Sequence, residues 1–138
     1  MTSATNTSRL VEIITTGDPA RRDTDLAAVC GELDADGLLA ECALLDDFRR
    51  DAENLYERVR ALFFLYAIHR FHLPPKLPGG EVGRIPFGAY EHLLNRRFAE
   101  AIDGFLAAVK ANGPGDALSS ALASAYHELA FQTLADQV

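Results

Sequence analysis

Apolar residues recur three and four positions apart along almost the whole chain, the spacing that places them on one face of a helix. No alternating stretch of Val, Ile or Thr, which would be typical of a strand, interrupts this pattern. The pattern predicts an all-α fold, either an antiparallel helical bundle or an irregular array of helical hairpins, with about five to seven helices. The first predicted segments are 9–15, a short start at Asp18-Pro19, 26–33 capped by Thr24 or Asp25, a break at 34–37, and a helical period from Leu38 to Phe48.

The longest predicted helix covers residues 52–72, which would span about 30 Å. Just before it, the charged residues 46–51 are predicted to be either a joint or a solvated helix face. Apolar side chains wrap most of the way around the long helix, which indicates burial by several neighbours and a place at the centre of the fold. Pro74 and Pro75 end this helix, because neither can donate a helical N–H.

A long loop is predicted for residues 73–88, which contain four Pro and four Gly. Residues 89–112 are predicted to form one helix or a tight helical pair, which ends at Gly113. Asp116 is expected to cap a last helix, whose apolar period still continues at Val138. We therefore expect one helical domain over residues 9–138 after a flexible N-terminus, residues 1–8, with the leading part of a longer protein as an alternative.

Positive charge is concentrated in the middle of the chain. Residues 58–97 carry seven Arg or Lys and two Glu, a formal charge of +5, so the remainder carries −12 in a chain whose total is −7. This asymmetry favours an anion or an acidic partner at the segment. The sequence predicts two groups of contact residues: an anion-binding set of Arg70, His72, Lys76 and Arg84, and partner contacts at Arg58, Arg96 and Arg97.

Other features narrow the class of protein. The N-terminus lacks the basic start and apolar stretch of a secretory signal, and the longest apolar run, residues 61–68, is too short to cross a membrane. We therefore expect a cytoplasmic protein without a membrane partner. Nucleic acid is not expected as a partner either, because the total charge is negative and Pro residues interrupt the basic ones.

Catalytic and metal-binding motifs are missing from the sequence, so we predict no catalytic residues, no metal and no cofactor. Cys30 and Cys42 lie outside any Cys-x-x-Cys pair and are interpreted as small core residues. The four histidines do not belong to a Glu-x-x-His pair and are interpreted as polar helix residues or partners of helix ends. The Ser residues before His127 lack a Gly-x-Ser-x-Gly elbow, which argues against a hydrolase.

The C-terminal third resembles the tetratricopeptide type of helical repeat. The resemblance covers about thirty residues, 98–126, and includes the apolar positions of a second repeat helix, the break after it, and the Leu and aromatic positions of the next repeat. These residues are Phe98, Ala101, Phe105 and Ala108, then Gly113-Pro114, then Leu122-Ala123 and Tyr126. The resemblance implies a scaffold that binds a partner protein.

Three functions follow from these observations. The first is a non-catalytic protein-interaction or accessory domain whose basic centre contacts another protein or a further part of the same chain. The second is a small-molecule or enzyme module that binds a phosphorylated or carboxylated ligand at the 70–84 loop. The third is a subunit that associates with its own copy through the last helix. If residues 73–88 are only a solvated connector whose Arg residues pair with acidic helices, the second function loses its site.

Overall fold

Helices make up all the regular secondary structure in the computed structural model of the chain, which describes residues 8–77 and 85–136. No strand occurs in these two ranges, so the predicted all-α fold is confirmed. A π-helical segment, Ile68–His72, and a 3₁₀ turn, Pro74–Lys76, accompany the α-helices. The α-helices described are α1 Arg9–Thr15, α2 Pro19–Arg22, α3 Leu26–Gly31, α4 Ala35–Asp51, α5 Leu55–Ala67, α6 Phe87–Leu94, α7 Phe98–Asn112 and α8 Asp116–Ala135.

The first five helices each begin at a polar side chain that accepts a hydrogen bond from a backbone N–H of the first turn. Ser8, Asp18 and Asp25 cap α1, α2 and α3, while Asp34 and Asn54 cap α4 and α5. Each cap satisfies an N–H that has no partner within the helix, a contribution of about 1 kcal/mol. The helix starts predicted at Asp18 and Asp25 are therefore confirmed.

The predicted break at residues 34–37 is misplaced, because Asp34 caps a helix that begins at Ala35. The backbone N–H of Gly37 donates to Asp34 Oδ1 over 2.8 Å, and α4 then runs without interruption to Asp51. A single Gly is tolerated in a first turn whose N–H groups are already satisfied by a cap. α3 and α4 thus remain separate helices, and the break between them lies before Ala35, earlier than predicted.

The helix predicted for residues 52–72 is shorter at its start and changes type at its end. Ala52 is the C-cap of α4, and α5 begins only after the cap Asn54. From Ile68 the helix widens into the π-helical segment, whose last hydrogen bond runs from the N–H of Leu73 to the carbonyl of Ile68 over 2.8 Å. α5 packs against α1, α4 and α8, as expected for a central helix, whereas an antiparallel order of the helices stays a prediction.

Ser8 belongs to the folded domain, although the sequence assigned it to a flexible N-terminus. Its buried side chain caps α1 and donates to the carboxylate of Glu41 on α4. Glu41 also accepts from the backbone N–H groups of Arg9 and Leu10, each over 3.4 Å. A buried carboxylate therefore meets the positive end of α1 and ties it to α4. The rest of the predicted flexible segment, residues 1–7, lies outside the described residues.

The predicted loop at residues 73–88 contains helical structure at both ends. The 3₁₀ turn Pro74–Lys76 follows the π-helical segment, and α6 begins at Phe87. Residues 78–84, the centre of the predicted loop, lie outside the described residues. After the loop, α6 and α7 form the tight helical pair that was one of two alternatives for residues 89–112.

The last two helices pack against each other, and α8 also packs against α5. Gly113, with φ 89°, ends α7 as predicted, because this left-handed conformation costs Gly little. Asp116 is the first residue of α8, so the N-cap position belongs to Gly115 and not to Asp116. The largest fully buried side chains include Tyr126, Phe105, Leu10, Ile14, Leu38 and Leu45, which come from both halves of the chain and form one core.

Candidate functional site

Arg58 and Arg60 of α5 donate to backbone carbonyls at the ends of neighbouring helices. Arg58 donates from Nε and Nη2 to the carbonyl oxygen of Ala52, over 3.1 and 2.8 Å. Arg60 Nη2 donates to the carbonyl oxygen of Arg22 over 2.7 Å. Ala52 and Arg22 lie at the C-terminal ends of α4 and α2, where unpaired carbonyls favour a cation. A partner contact by Arg58 stays a prediction, and it would compete with this internal bond.

Lys76 makes the same kind of contact at the end of α3. Its Nζ donates to the carbonyl oxygen of Cys30 over 2.7 Å and to that of Leu33. Because α3 ends at Gly31, the ammonium group closes the negative end of that helix. An anion bound by Lys76 would have to share it with these carbonyls.

Arg70 has a more open setting than Lys76. Its side chain is exposed and borders a groove of about 430 Å³ together with Tyr66, Ser120, Ser124 and His127. No carboxylate in the described part of the chain forms a salt bridge with Arg70. The two hydroxyl groups and the imidazole belong to α8, whereas Arg70 belongs to the π-helical segment. The sequence did not connect Arg70 with these α8 residues.

The remaining members of the predicted anion-binding set are His72 and Arg84. His72 is the last residue of the π-helical segment and is partly buried. Arg84 lies outside the described residues. Since Arg70 adjoins α8 and Lys76 contacts α3, the described members have different neighbours. Joint binding of one anion by this set stays a prediction.

Three large apolar side chains of α6 are exposed, and we call them the α6 stripe. Phe87 is 77% exposed, Leu94 65% and Tyr90 43%. Their spacing of three and four residues places them in one row along the helix. Between them, Ala89 faces the other way and is buried where Gly104 of α7 approaches it. Contiguous exposed apolar side chains of this size mark interaction surfaces more often than isolated ones do.

Two arginines adjoin the C-terminal end of the α6 stripe. Arg96 and Arg97 lie in the short connection between α6 and α7, and both are exposed. Arg96 has φ 62°, and its guanidinium group lies 5.2 Å from the ring centre of Phe98. Neither arginine forms a salt bridge with any carboxylate that the structure describes. Two of the three predicted partner contacts therefore border an apolar surface.

A buried polar network centred on Asp46 connects α4 with α8 and α7. Asp46 Oδ1 accepts from Arg49 Nε over 2.8 Å and from the Tyr126 hydroxyl over 3.0 Å, while Oδ2 accepts from Arg50 Nε over 2.7 Å. Arg50 Nη2 also donates to Asp103 of α7 over 2.7 Å. The prediction of a joint or solvated face is wrong for Asp46 and Arg49, because their pairing with each other and with Tyr126 lets both charges leave water.

His69 is 2% exposed and lies next to this network. Its ring stacks on Tyr126, with centroids 5.9 Å apart and an interplanar angle of 18°, and its Nδ1 lies 3.4 Å from Ser119 Oγ. Its Nε2 has no hydrogen-bond partner among the residues described. The sequence interpretation of His69 as an ordinary polar helix residue misses this burial. The sequence does contain a signal for the burial of His69, because this residue continues the helical period of Leu62 and Leu65, which are also buried.

Burial controls the protonation of this region. It lowers the pKa of His69 to about 4, while the charge of Asp46 acts in the opposite direction, so the imidazole is neutral at pH 7. Burial also raises the pKa of Tyr126 well above its ordinary value, and the Asp46 charge adds to this effect. The pKa values of Cys30 and Cys42 are raised chiefly by burial, which confirms their interpretation as core residues and keeps both thiols protonated.

The other described histidines have different surroundings. His127 lies against the rings of Tyr66 and Phe131, at centroid distances of 4.8 and 4.9 Å. His92 of α6 has a buried Nδ1 that lacks a hydrogen-bond partner in the described ranges. Clusters of three or more His, Cys, Asp or Glu side chains suited to a metal ion do not occur in residues 8–77 and 85–136.

Comparison with protein-family models, with curated proteins and with solved structures found no match. The tetratricopeptide resemblance of residues 98–126 therefore stays a prediction. Over the part of the chain that the structure describes, each helix is too short or too polar to cross a membrane.

Proposed function

We propose that the chain is a non-catalytic protein-interaction or accessory domain and that the α6 stripe is its contact surface. The observation that carries this proposal is the exposure of Phe87, Tyr90 and Leu94, at 77%, 43% and 65%. Burial of such side chains by a partner removes apolar area from water, at roughly 25 cal/mol per Å². The sequence predicted a contact surface made of the 73–88 loop and its flanking Arg residues, and this proposal places the surface on α6 and the adjoining Arg96 and Arg97.

The partner that fits this surface is an amphipathic helix with acidic residues beside its apolar face. A row of side chains spaced by three and four residues packs well into the grooves of another helix. Arg96 and Arg97 add two positive charges at one end of the row, and acidic side chains of the partner would meet them. This chemistry agrees with the acidic partner that the charge asymmetry of the sequence favours.

A designed peptide tests the proposal directly. The peptide is a fluorescently labelled amphipathic helix with one apolar face flanked by Glu, and its matched control carries Lys at every Glu position. We expect fluorescence polarisation to detect binding of the Glu peptide and at least about tenfold weaker binding after combined Phe87→Ser and Leu94→Ser substitution, since a few apolar anchors dominate most interfaces. Phe71→Ser is the matched control, because Phe71 is 56% exposed and lies on the π-helical segment.

The charged end of the surface has its own test. Arg96→Glu with Arg97→Glu should weaken binding of the Glu peptide and strengthen binding of the Lys peptide, because the sign of the local charge is reversed. Equal affinities of both peptides for both forms of the protein would contradict the proposed partner chemistry. Equal effects of the Phe71 and α6 substitutions would contradict the proposed surface.

A second candidate function is binding of a phosphorylated or carboxylated small molecule in the Arg70 groove. It is favoured by the position of Arg70 beside Ser120, Ser124 and His127, which together offer a guanidinium fork, two hydroxyl groups and an imidazole. A thermal-shift series with inorganic phosphate, sugar phosphates, nucleotides and small carboxylates tests it. A ligand at a hundred times its Kd adds about 2.7 kcal/mol of stability. Arg70→Gln should abolish that shift and Arg97→Gln should leave it, whereas no shift with any of these anions would refute this candidate.

A further inference from the structure

A cleft of about 560 Å³ lies beside the buried network. Its walls are mostly apolar and include Leu39 of α4, Leu106 of α7 and Leu122 of α8. The buried polar residues His69 and Asp46 also belong to its lining. α4 packs on α5, and α7 packs on α6 and α8. Since α4 and α7 are not among the closely packed pairs of described helices, space for the cleft remains beside them.

The composition of this cleft is that of a small-molecule site. Binding pockets of this volume commonly combine apolar walls with a few polar groups of perturbed pKa. The buried Nε2 of His69 is an unsatisfied hydrogen-bonding atom, and leaving such an atom unpaired is costly. Although π-helical turns are rare, they occur often at functional sites, and this one carries His69.

We propose that this cleft binds an uncharged small molecule of the phenol class, in which an apolar ring fills the space between the Leu side chains and a hydroxyl group hydrogen-bonds to His69 Nε2. The proposal is independent of the α6 stripe, which lies on a different helix and uses none of these residues.

The charges around the cleft favour an uncharged ligand. His69 is neutral at pH 7 because burial lowers its pKa, so it offers a hydrogen bond and no charge. The Asp46 carboxylate is already met by Arg49 and Arg50. At the exposed edge, Asp47 and Lys110 have opposite signs. In the buried part of the cleft, a charged group would therefore lose its hydration without gaining an unpaired counter-charge.

Imidazole ¹⁵N NMR of the histidine-labelled protein tests the hydrogen bond. Addition of phenol should shift the Nε2 resonance of His69 saturably, while toluene, which has the same ring without the hydroxyl group, should not. His69→Phe keeps a ring to stack on Tyr126 and should weaken phenol binding at least tenfold, as followed by ligand-observed NMR. His92→Phe is the matched control, since His92 is a partly buried histidine remote in sequence on α6, and it should bind phenol like the parent protein.

A second pair of variants keeps the proposal falsifiable if His69→Phe fails to fold. Ala43 is exposed and borders the cleft, so Ala43→Phe should narrow it and weaken phenol binding. Ala107→Phe places the same ring on an exposed position of α7 that does not border the cleft, and should leave binding unchanged. A phenol affinity that is equal in both variants, a His69 resonance that phenol leaves unmoved, or a toluene effect equal to that of phenol would each overturn the proposal.

Discussion

The Asp46 network and the α6 stripe are opposite exceptions to the usual distribution of polar and apolar side chains. Asp46 in the network and His69 beside it are buried, at 5% and 2% exposure, whereas in the stripe Phe87 is 77% exposed. Buried polar groups and exposed apolar groups are the informative departures from average burial. The network is satisfied largely inside the chain, so it should govern stability. The stripe has no comparable contacts among the described residues, so it should govern binding.

Removal of the central carboxylate should give the largest effect. Asp46→Ala leaves the buried Arg49 without its counter-charge and the Tyr126 hydroxyl without its acceptor, so we expect a loss of about 3 to 5 kcal/mol in the free energy of unfolding. Urea denaturation followed by circular dichroism measures it. Asp103→Ala is the control, because Asp103 is 60% exposed in its pair with Arg50 and its loss should cost about 1 kcal/mol or less. Similar losses of stability in the two variants would contradict the view that the buried Asp46 network governs stability.

Acid should destabilise the fold through His69, which lies beside the network. The imidazole has a pKa of about 4 in the folded chain and an ordinary value of 6.5 in the unfolded chain. Between these values the unfolded chain binds a proton that the folded chain does not, so the free energy of unfolding falls as pH decreases, by roughly 3 kcal/mol in total. Urea denaturation at a series of pH values should show this decrease. The His69→Phe variant keeps all the carboxylates of the protein but lacks the imidazole that takes up the proton. An equally steep decrease of stability with falling pH in that variant would refute the assignment of the effect to His69.

Gly104→Ala tests how tightly α6 is held at the face opposite its stripe. A Cβ at Gly104 would lie 2.5 Å from the Cβ of Ala89, so α6 and α7 must move apart, and we expect a loss of about 1 to 3 kcal/mol. Gly88→Ala is the control on α6 itself, because a Cβ added at Gly88 would have no described atom of another helix within 4 Å. There the better helix propensity of Ala should raise stability by about 0.5 to 1 kcal/mol. Thermal unfolding of the two variants should therefore shift in opposite directions.

Changes in the α6 stripe should have the smallest effect on stability. Leu94→Ser removes a side chain that is 65% exposed, so we expect a change within about 0.5 kcal/mol. Leu93→Ser, one residue earlier, removes a side chain that packs against the core and should cost more. If Leu94→Ser destabilised the chain as much as Leu93→Ser in urea denaturation, the stripe would be part of the fold rather than a contact surface.

Local features of the fold could be predicted from the sequence because neighbouring residues determine them. Asp18 followed by Pro19 predicts a helix start, and Gly113 predicts a helix end, since each acts through its own backbone or the next turn. The start of α4 was missed although its signal is also local. An Asp before a helical period can be read as a cap or as part of a break, and Asp34 is a cap.

The site could not be predicted in the same way, because its contacts join distant residues. Asp46 is buried owing to Tyr126, which lies 80 positions away, and Lys76 contacts carbonyls 43 and 46 positions before it. A charge count along the sequence cannot tell a cation that closes a helix end from one that is free to bind a partner. For this reason the positive segment predicted a binding surface, although Arg58, Arg60 and Lys76 donate to backbone carbonyls within the fold.

The π-helical segment has an evolutionary consequence. A π-helical turn accommodates an inserted residue within a helix, so deletion of one residue immediately before His69 would let ordinary helical pairing continue while turning the following side chains by about 100°. The histidine ring would then leave Tyr126, although the helix itself could survive. Descendants of a common ancestor should therefore vary in length at this point together with the identity of the residue that stacks on Tyr126, and a one-residue gap there would mark lineages in which the cleft has lost its imidazole.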